Sequence, residues 1–213
     1  MIPMKSLVIA ATLILSPIAI AETLGEAVES LQTQWAIDNY QLDGKPQLEG
    51  FENLLEQADQ KLAAFPNSAE LLIWRGIIKS TYAGVKGGLG ALKYAKSAKS
   101  DLETAMQLDA DALQGSAYTS LGALYYNVPG WPLGFGNDDK AEELLLKALQ
   151  INPAGIDSNY FYGDFLRNKK RYAEAKQYME KALGAPPRPG RPLADEGRKR
   201  EIQRALLDIQ RHL

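Results

Sequence analysis

The chain has 213 residues, 24 basic and 26 acidic, with one histidine, no cysteine and a formal charge of −2. Without cysteine there is no thiol nucleophile, disulfide framework or cysteine-held metal, and a single histidine at position 212 excludes a histidine-centred triad or a two-histidine metal site. Near-balanced charge argues against a general nucleic-acid binder. The 28 Ala and 30 Leu, set against 4 Val, 13 Ile and 6 Thr, predict an all-α chain.

Taken in chain order, the first 21 residues read as a leader. Lys5 gives a short positive region, Leu7–Leu15 an apolar one, Pro17 breaks the run, and Ala19-Ile20-Ala21 is a small-x-small site before Glu22. The apolar stretch suits a cleavable signal and falls short of the roughly 20 residues of a membrane span. A signal peptide over 1–21, cleaved after Ala21, predicts a periplasmic protein. No cysteine follows the apolar run to carry a lipid anchor, and no later segment reaches spanning length, so no membrane span is expected.

Beyond the leader the pattern is helical. Leu24–Gln41 and Phe51–Ala64 make a first pair, closed by Phe65-Pro66. A helix starting near Ala69 carries Trp74-Arg75-Gly76, and its partner is marked by Ala98, Leu102 and Ala105. The next begins at Gly115 and carries Leu121-Gly122; its partner holds Ala141, Leu145 and Ala148 and stops at Asn152-Pro153. A fourth pair starts at Ile156, carries Tyr162-Gly163, and continues through Ala175, Met179 and Ala182 to Pro187. The proline-rich run from Pro186 to Pro192 is a rigid break. The amphipathic segment after it, with Ile202, Ala205, Leu206 and Ile209 on one face, is expected to cap the open end. The expected divisions are a leader (1–21), a helical-repeat domain (22–187), a linker (188–194) and a C-terminal capping helix (195–213).

Ala141 to Ala175, Ala148 to Ala182 and Pro153 to Pro187 are each 34 residues apart. Small residues at two points of the second helix let neighbouring helices approach, a larger apolar residue fills the seam, and proline ends the helix. A 34-residue period with these positions and an upstream large–Gly pair resembles the tetratricopeptide repeat. The resemblance implies helical hairpins in a right-handed superhelix, with three recognisable repeats after a degenerate first pair. Its concave face would carry Ser116, Thr119, Ala123 and Tyr126, then Asp157, Tyr160, Asp164 and Arg167. Such a face is either a polar binding groove or a wet surface covered by the last helix.

Two pairs are expected to have enlarged inter-helix turns. Gly76 to Ala98 holds about ten residues beyond the repeat spacing, including Gly84–Gly90, and Tyr125 to Ala141 holds seven more. The glycines follow no strand, so they read as a turn rather than a phosphate cradle. In the second turn, Trp131, Leu133 and Phe135 either pack under the neighbouring repeat or form a lid or partner contact. Lys86, Lys93, Lys96 and Lys99 make a basic edge, read as a solvated face. No nucleotide loop, nucleophile elbow or metal spacing occurs, so neither catalysis nor a cofactor is expected.

A narrower resemblance covers Gly122–Pro187. Leu124–Gly136, Lys140-Ala141-Glu142 and Asn159–Phe165 resemble the periplasmic T component associated with tripartite ATP-independent periplasmic (TRAP) transporters. This resemblance implies cryptic tetratricopeptide repeats, an enlarged turn, self-association, and partnership with a periplasmic solute-binding protein that delivers small hydrophobic or organic-acid ligands to a permease. The expected function is a non-catalytic binding scaffold that docks such a protein or holds a small ligand. Its candidate site residues are Ser116, Thr119, Tyr126, Trp131, Phe135, Asp157, Tyr160, Asp164 and Arg167. The alternative is a cell-envelope scaffold, unrelated to transport, that binds an extended peptide or protein. An enclosed pocket beside Trp131, Phe135, Tyr126 and Tyr160 favours the first reading, and an open groove the second.

Overall fold

Nine α-helices in series make up the described part of the chain, residues 22–213 of a computed structural model. The expected leader and its cleavage point after Ala21 lie outside the described residues. Helix α1 (Leu24–Tyr40) opens on a capping box, in which Thr23 Oγ1 accepts from the Glu26 N–H and Glu26 accepts from the Thr23 N–H. It pairs with α2 (Gly44–Ala64). Three further hairpins follow: α3 (Ala69–Lys86) with α4 (Gly88–Leu108), α5 (Ala112–Asn127) with α6 (Asp138–Ile151), and α7 (Ile156–Asn168) with α8 (Tyr172–Leu183). Helix α9 runs from Pro192 to Gln210 and begins three residues ahead of the expected start at Asp195. Proline is tolerated there because the N–H it lacks would have no partner in the first turn anyway.

One seam recurs in three hairpins. Gly76 lies against Leu102 and the Ala98 carbonyl, Gly122 against Leu145 and the Ala141 carbonyl, and Gly163 against Met179 and the Ala175 carbonyl. Ala98, Ala141 and Ala175 are fully buried. Glycine on the first helix and alanine on the second bring the two axes together, and the larger side chain fills what remains.

The two long insertions behave differently. The first is not a loop: α3 and α4 extend to 18 and 21 residues and meet at Gly87-Gly88, where both φ values are positive. The segment after Gly88 is rich in Ala, Leu and Lys, good helix formers that outweigh the isolated Gly84 and Gly90. The second insertion remains a loop between α5 and α6. At the head of α5, Leu113, Gln114 and Gly115 are all left-handed, so regular helix begins at Ser116.

The first helices of the hairpins, α1, α3, α5 and α7, lie side by side, each touching the next. Helix α9 packs on α8 and α7 and also returns to α1. It therefore closes the inner row into a ring of five helices, beyond the capping expected of it. Close approach at that closure depends on Gly197, where a Cβ would stand 2.5 Å from the Tyr40 ring carbons. Gly197→Ala is expected to push α9 from α1 and cost about 1–3 kcal/mol despite alanine's better helix propensity. Urea denaturation checks this, and an unchanged midpoint would contradict the closure.

Candidate ligand cavity and docking loop

The ring surrounds a half-open cavity of about 440 Å³. Helix α1 contributes Trp35 and Tyr40, α3 contributes Trp74, Ile77 and Thr81, α5 contributes Ser116, Thr119 and Ala123, and α7 contributes Asp157 and Phe161. Within each helix these recur mostly at three- and four-residue steps, which is why they share one face. Arg188, Arg191 and Arg198, from the proline-rich segment and α9, add a basic side to the wall, and Ser80, Ser120 and Asn127 add polar groups from α3 and α5. The indole Nε1 of Trp35 donates to Thr81 Oγ1 at 3.0 Å, and its ring meets Trp74 edge-on at 6.0 Å. A second hollow of about 530 Å³ adjoins, sharing Trp74, Ser116, Thr119, Asp157, Arg188 and Arg191, and is bordered by Pro186, Pro187 and Pro189. The segment read as a linker thus walls the interior.

Asp157 ties α9 to α7. Its carboxylate accepts from Arg198 Nε at 2.8 Å and from Arg188 Nη1. Arg188 also donates to Asp195, and Arg198 to Glu201. The Arg198 guanidinium stacks on Tyr160 at 4.3 Å and on Phe161 at 4.8 Å. Burial alone would raise the Asp157 pKa, but Arg198 and Arg188 outweigh it and hold the carboxyl well below the usual carboxylate range. A second tie lies further along α9. Arg167 donates to Asp164 at 2.7 Å and to Asp208 at 2.9 Å, while the Tyr126 hydroxyl donates to Asp164 at 2.8 Å. Burial, then the adjacent Asp164 charge, push the Tyr126 hydroxyl well above its ordinary pKa.

The sequence-expected site residues therefore fall into three places. Ser116, Thr119 and Asp157 line the cavity. Tyr126, Tyr160, Asp164 and Arg167 are engaged in contacts with one another or with α9, which covers much of the concave face and leaves a shallow open hollow beside Tyr160 and Arg167. Trp131 and Phe135 lie on the α5–α6 loop, away from the cavity. Trp131, Phe135, Tyr126 and Tyr160 are not among the cavity's lining, which instead includes Trp35, Trp74 and the three arginines. Those five residues escape sequence reasoning; the one available signal is three arginines at short spacing around the proline run.

Within the loop, the two aromatic residues diverge. Phe135 turns inward, edge-on to Tyr125 at 5.5 Å, with Lys99 Nζ 5.9 Å from its ring. Lys99 pairs with Glu103, Lys86 lies over Tyr82 and Lys93 over Tyr94. Trp131 is 90% exposed and Leu133 72%. The backbone beneath them is held by hydrogen bonds from Leu133 and Gly134 to the Gly130 carbonyl, from Gly136 to Pro129, and from Asn137 to Tyr125. Only glycine fits at 136, where a Cβ would lie 1.9 Å from the Val128 oxygen.

Residues 156–189, a 34-residue stretch spanning α7 and α8, match the tetratricopeptide repeat family model. Over most of the chain, the fold is similar to TTC0263, a thermophilic TPR protein of Thermus thermophilus: the TM-score is 0.56 at 16% identity, over 86% of this chain and 98% of that one. The architecture is tetratricopeptide-like. MamA aligns at TM-score 0.47 and 18% identity over 91% of this chain and 96% of its own. YrrB, a TPR protein with an unusual peptide-binding site, aligns at 0.41 and 17% over 86% and 94%. No curated protein matches the sequence. Within the matched tetratricopeptide repeat, Asp157, Tyr160, Asp164 and Arg167 all lie on the first helix, the face that meets α9. Among the described residues, no helix is long and apolar enough to cross a membrane.

Proposed function

We propose that the protein is a non-catalytic docking scaffold of the bacterial periplasm, and that the Trp131 loop is where it meets its partner. One observation carries the reading: a tryptophan and a leucine stand in solvent on a loop whose own backbone is braced by hydrogen bonds. Protein interfaces are anchored by large aromatic side chains of this kind, and a pre-ordered loop loses little entropy on binding. The leader-like residues 1–21 support export. The resemblance of 124–136 to the TRAP-associated T component supports a periplasmic solute-binding protein as the partner. An extended peptide, the other reading, would have to displace α9 from the concave face.

Biolayer interferometry of the purified mature chain against solute-binding proteins encoded beside TRAP permeases in the source organism tests this. A complex is expected, weakened about 30-fold by Trp131→Ala, equivalent to about 2 kcal/mol. The unfolding free energy of the variant should stay within about 0.5 kcal/mol of the parent, because the side chain packs on little of the fold. Equal binding by the variant would remove the loop from the interface. No complex with any of those proteins would remove the transport assignment. Analytical ultracentrifugation then distinguishes a second copy of the chain as the loop's occupant.

A further inference from the structure

The polar groups on the α3 and α5 side of the cavity share one habit: each spends a proton on its own helix. The Ser80 hydroxyl donates to the Gly76 carbonyl at 2.8 Å, and Ser116 donates to the Leu113 carbonyl at 2.7 Å. At the rim, the Asn127 amide N–H donates to the Ala123 carbonyl at 2.9 Å. A serine hydroxyl has one proton and two lone pairs, so Ser80 and Ser116 are left with acceptor capacity alone. Asn127 keeps its Oδ1 as a further acceptor. Among the described residues no protein donor reaches these three oxygens, and none of the three residues is fully buried. This side of the cavity therefore asks its ligand for hydrogen-bond donors.

The basic side asks for the opposite. Half-buried Arg188 commits Nε to Asp195 and Nη1 to Asp157, and its Nη2 keeps N–H groups for an acceptor. Charge selects neither sign of ligand, because Arg188, Arg191 and Arg198 stand beside as many carboxylates, Asp157, Asp195 and Glu201. Between the two polar sides lie Ile77 and Phe161, both half-buried, in a volume of about 440 Å³ that suits a small molecule. The occupant is thus uncharged, donates on one side, accepts on the other and has an apolar face between. A fatty amide or alcohol carries its polar group at one end only. A sugar ring carries hydroxyls, each both donor and acceptor, around its whole edge, and its C–H faces pack on apolar side chains. We propose that this cavity binds a neutral pyranose sugar. Its hydroxyls donate to Ser80, Ser116 and Asn127 and accept from Arg188, and a ring face lies on Phe161 and Ile77. This site is separate from the Trp131 loop and does not rest on the docking role.

The test is isothermal titration of the purified mature protein at pH 7 with glucose, galactose and mannose. Each is run beside its uronate and its 2-amino form, which add one negative or one positive charge to the same ring. At least one neutral sugar is expected to bind with a Kd below about 1 mM, and about tenfold tighter than either charged form. Ser80→Ala and Ser116→Ala should each weaken that sugar about fivefold, the loss of one hydrogen bond. Both variants should melt within about 3 °C of the parent, because each hydroxyl bonds only its own helix and alanine is the better helix former. Absence of binding by all three sugars, or a charged form that binds as tightly as its neutral parent, would overturn the proposal. Unchanged affinity in both alanine variants would overturn it as well. Octanamide, run as an apolar control, should bind more weakly than the sugar; tighter binding would make the cavity a lipophilic site and overturn the proposal.

Discussion

Replacing Asp157 by asparagine is expected to release α9 from the ring. The carboxylate accepts from Arg198 of α9 and from Arg188 just before it, so its loss leaves two guanidiniums short of a partner across one contact. Breaking a buried pair from one side typically costs about 3–5 kcal/mol, and the lower figure applies because the Asp157 side chain is a third exposed. The loss should be localised. Amide exchange should rise over 192–210, and trypsin should gain access at Arg198, Lys199 and Arg200, while α3 to α6 stay protected. The sign of the pH dependence follows from the depressed carboxyl pKa. Its stabilisation is complete above the unfolded value of about 3.8 and is lost as pH falls below it toward the folded value. The parent should therefore weaken progressively below about pH 4, and Asp157→Asn should show a flatter acid limb. An unchanged urea midpoint with α9 still protected would refute the tie.

Gly122→Val should be comparably damaging, by overcrowding rather than lost charge. A Cβ at 122 would stand 2.7 Å from Leu145 Cγ and 3.3 Å from the Ala141 carbonyl oxygen, and both residues are fully buried. Neither has room to retreat, so a loss of about 3 kcal/mol is expected, at the upper end for overpacked cores. Gly163→Ala is the counterpart. Its nearest contacts are the Ala175 carbonyl and the flexible Met179 side chain, all at 3.3 Å, and the helix gains about 1 kcal/mol when glycine is replaced. That change should be nearly neutral. Thermal melts of the two variants check the ranking, and equal losses would mean that the seams do not depend on the branched leucine.

The repeat itself was legible because its cause is local. Alanines and prolines 34 residues apart and a glycine in each first helix are read directly along the chain, and they mark the same seams in three dimensions. The Gly84–Gly90 stretch misleads because two of its glycines sit inside helices, where neighbouring helix formers decide, and only Gly87-Gly88 breaks the backbone. The cavity was not legible for a different reason. It exists only because Gly197 and Glu201 reach Tyr40, a contact spanning 161 residues in the case of the Tyr40–Glu201 hydrogen bond, and periodicity carries no information about how the last helix turns back. Trp131 stands in solvent on a loop whose Gly136 backbone passes close to the Val128 oxygen, an approach that composition does not record.

Stacked helical repeats ordinarily behave as one-dimensional arrays, each unit stabilised by its neighbours and the terminal units free to fray. The contact between α9 and α1 removes that freedom, because the first and last helices are each other's neighbours. A linear stack can be lengthened by another repeat or unravel from either end. A closed one has a fixed number of members, melts as a single cooperative unit, and can keep an interior.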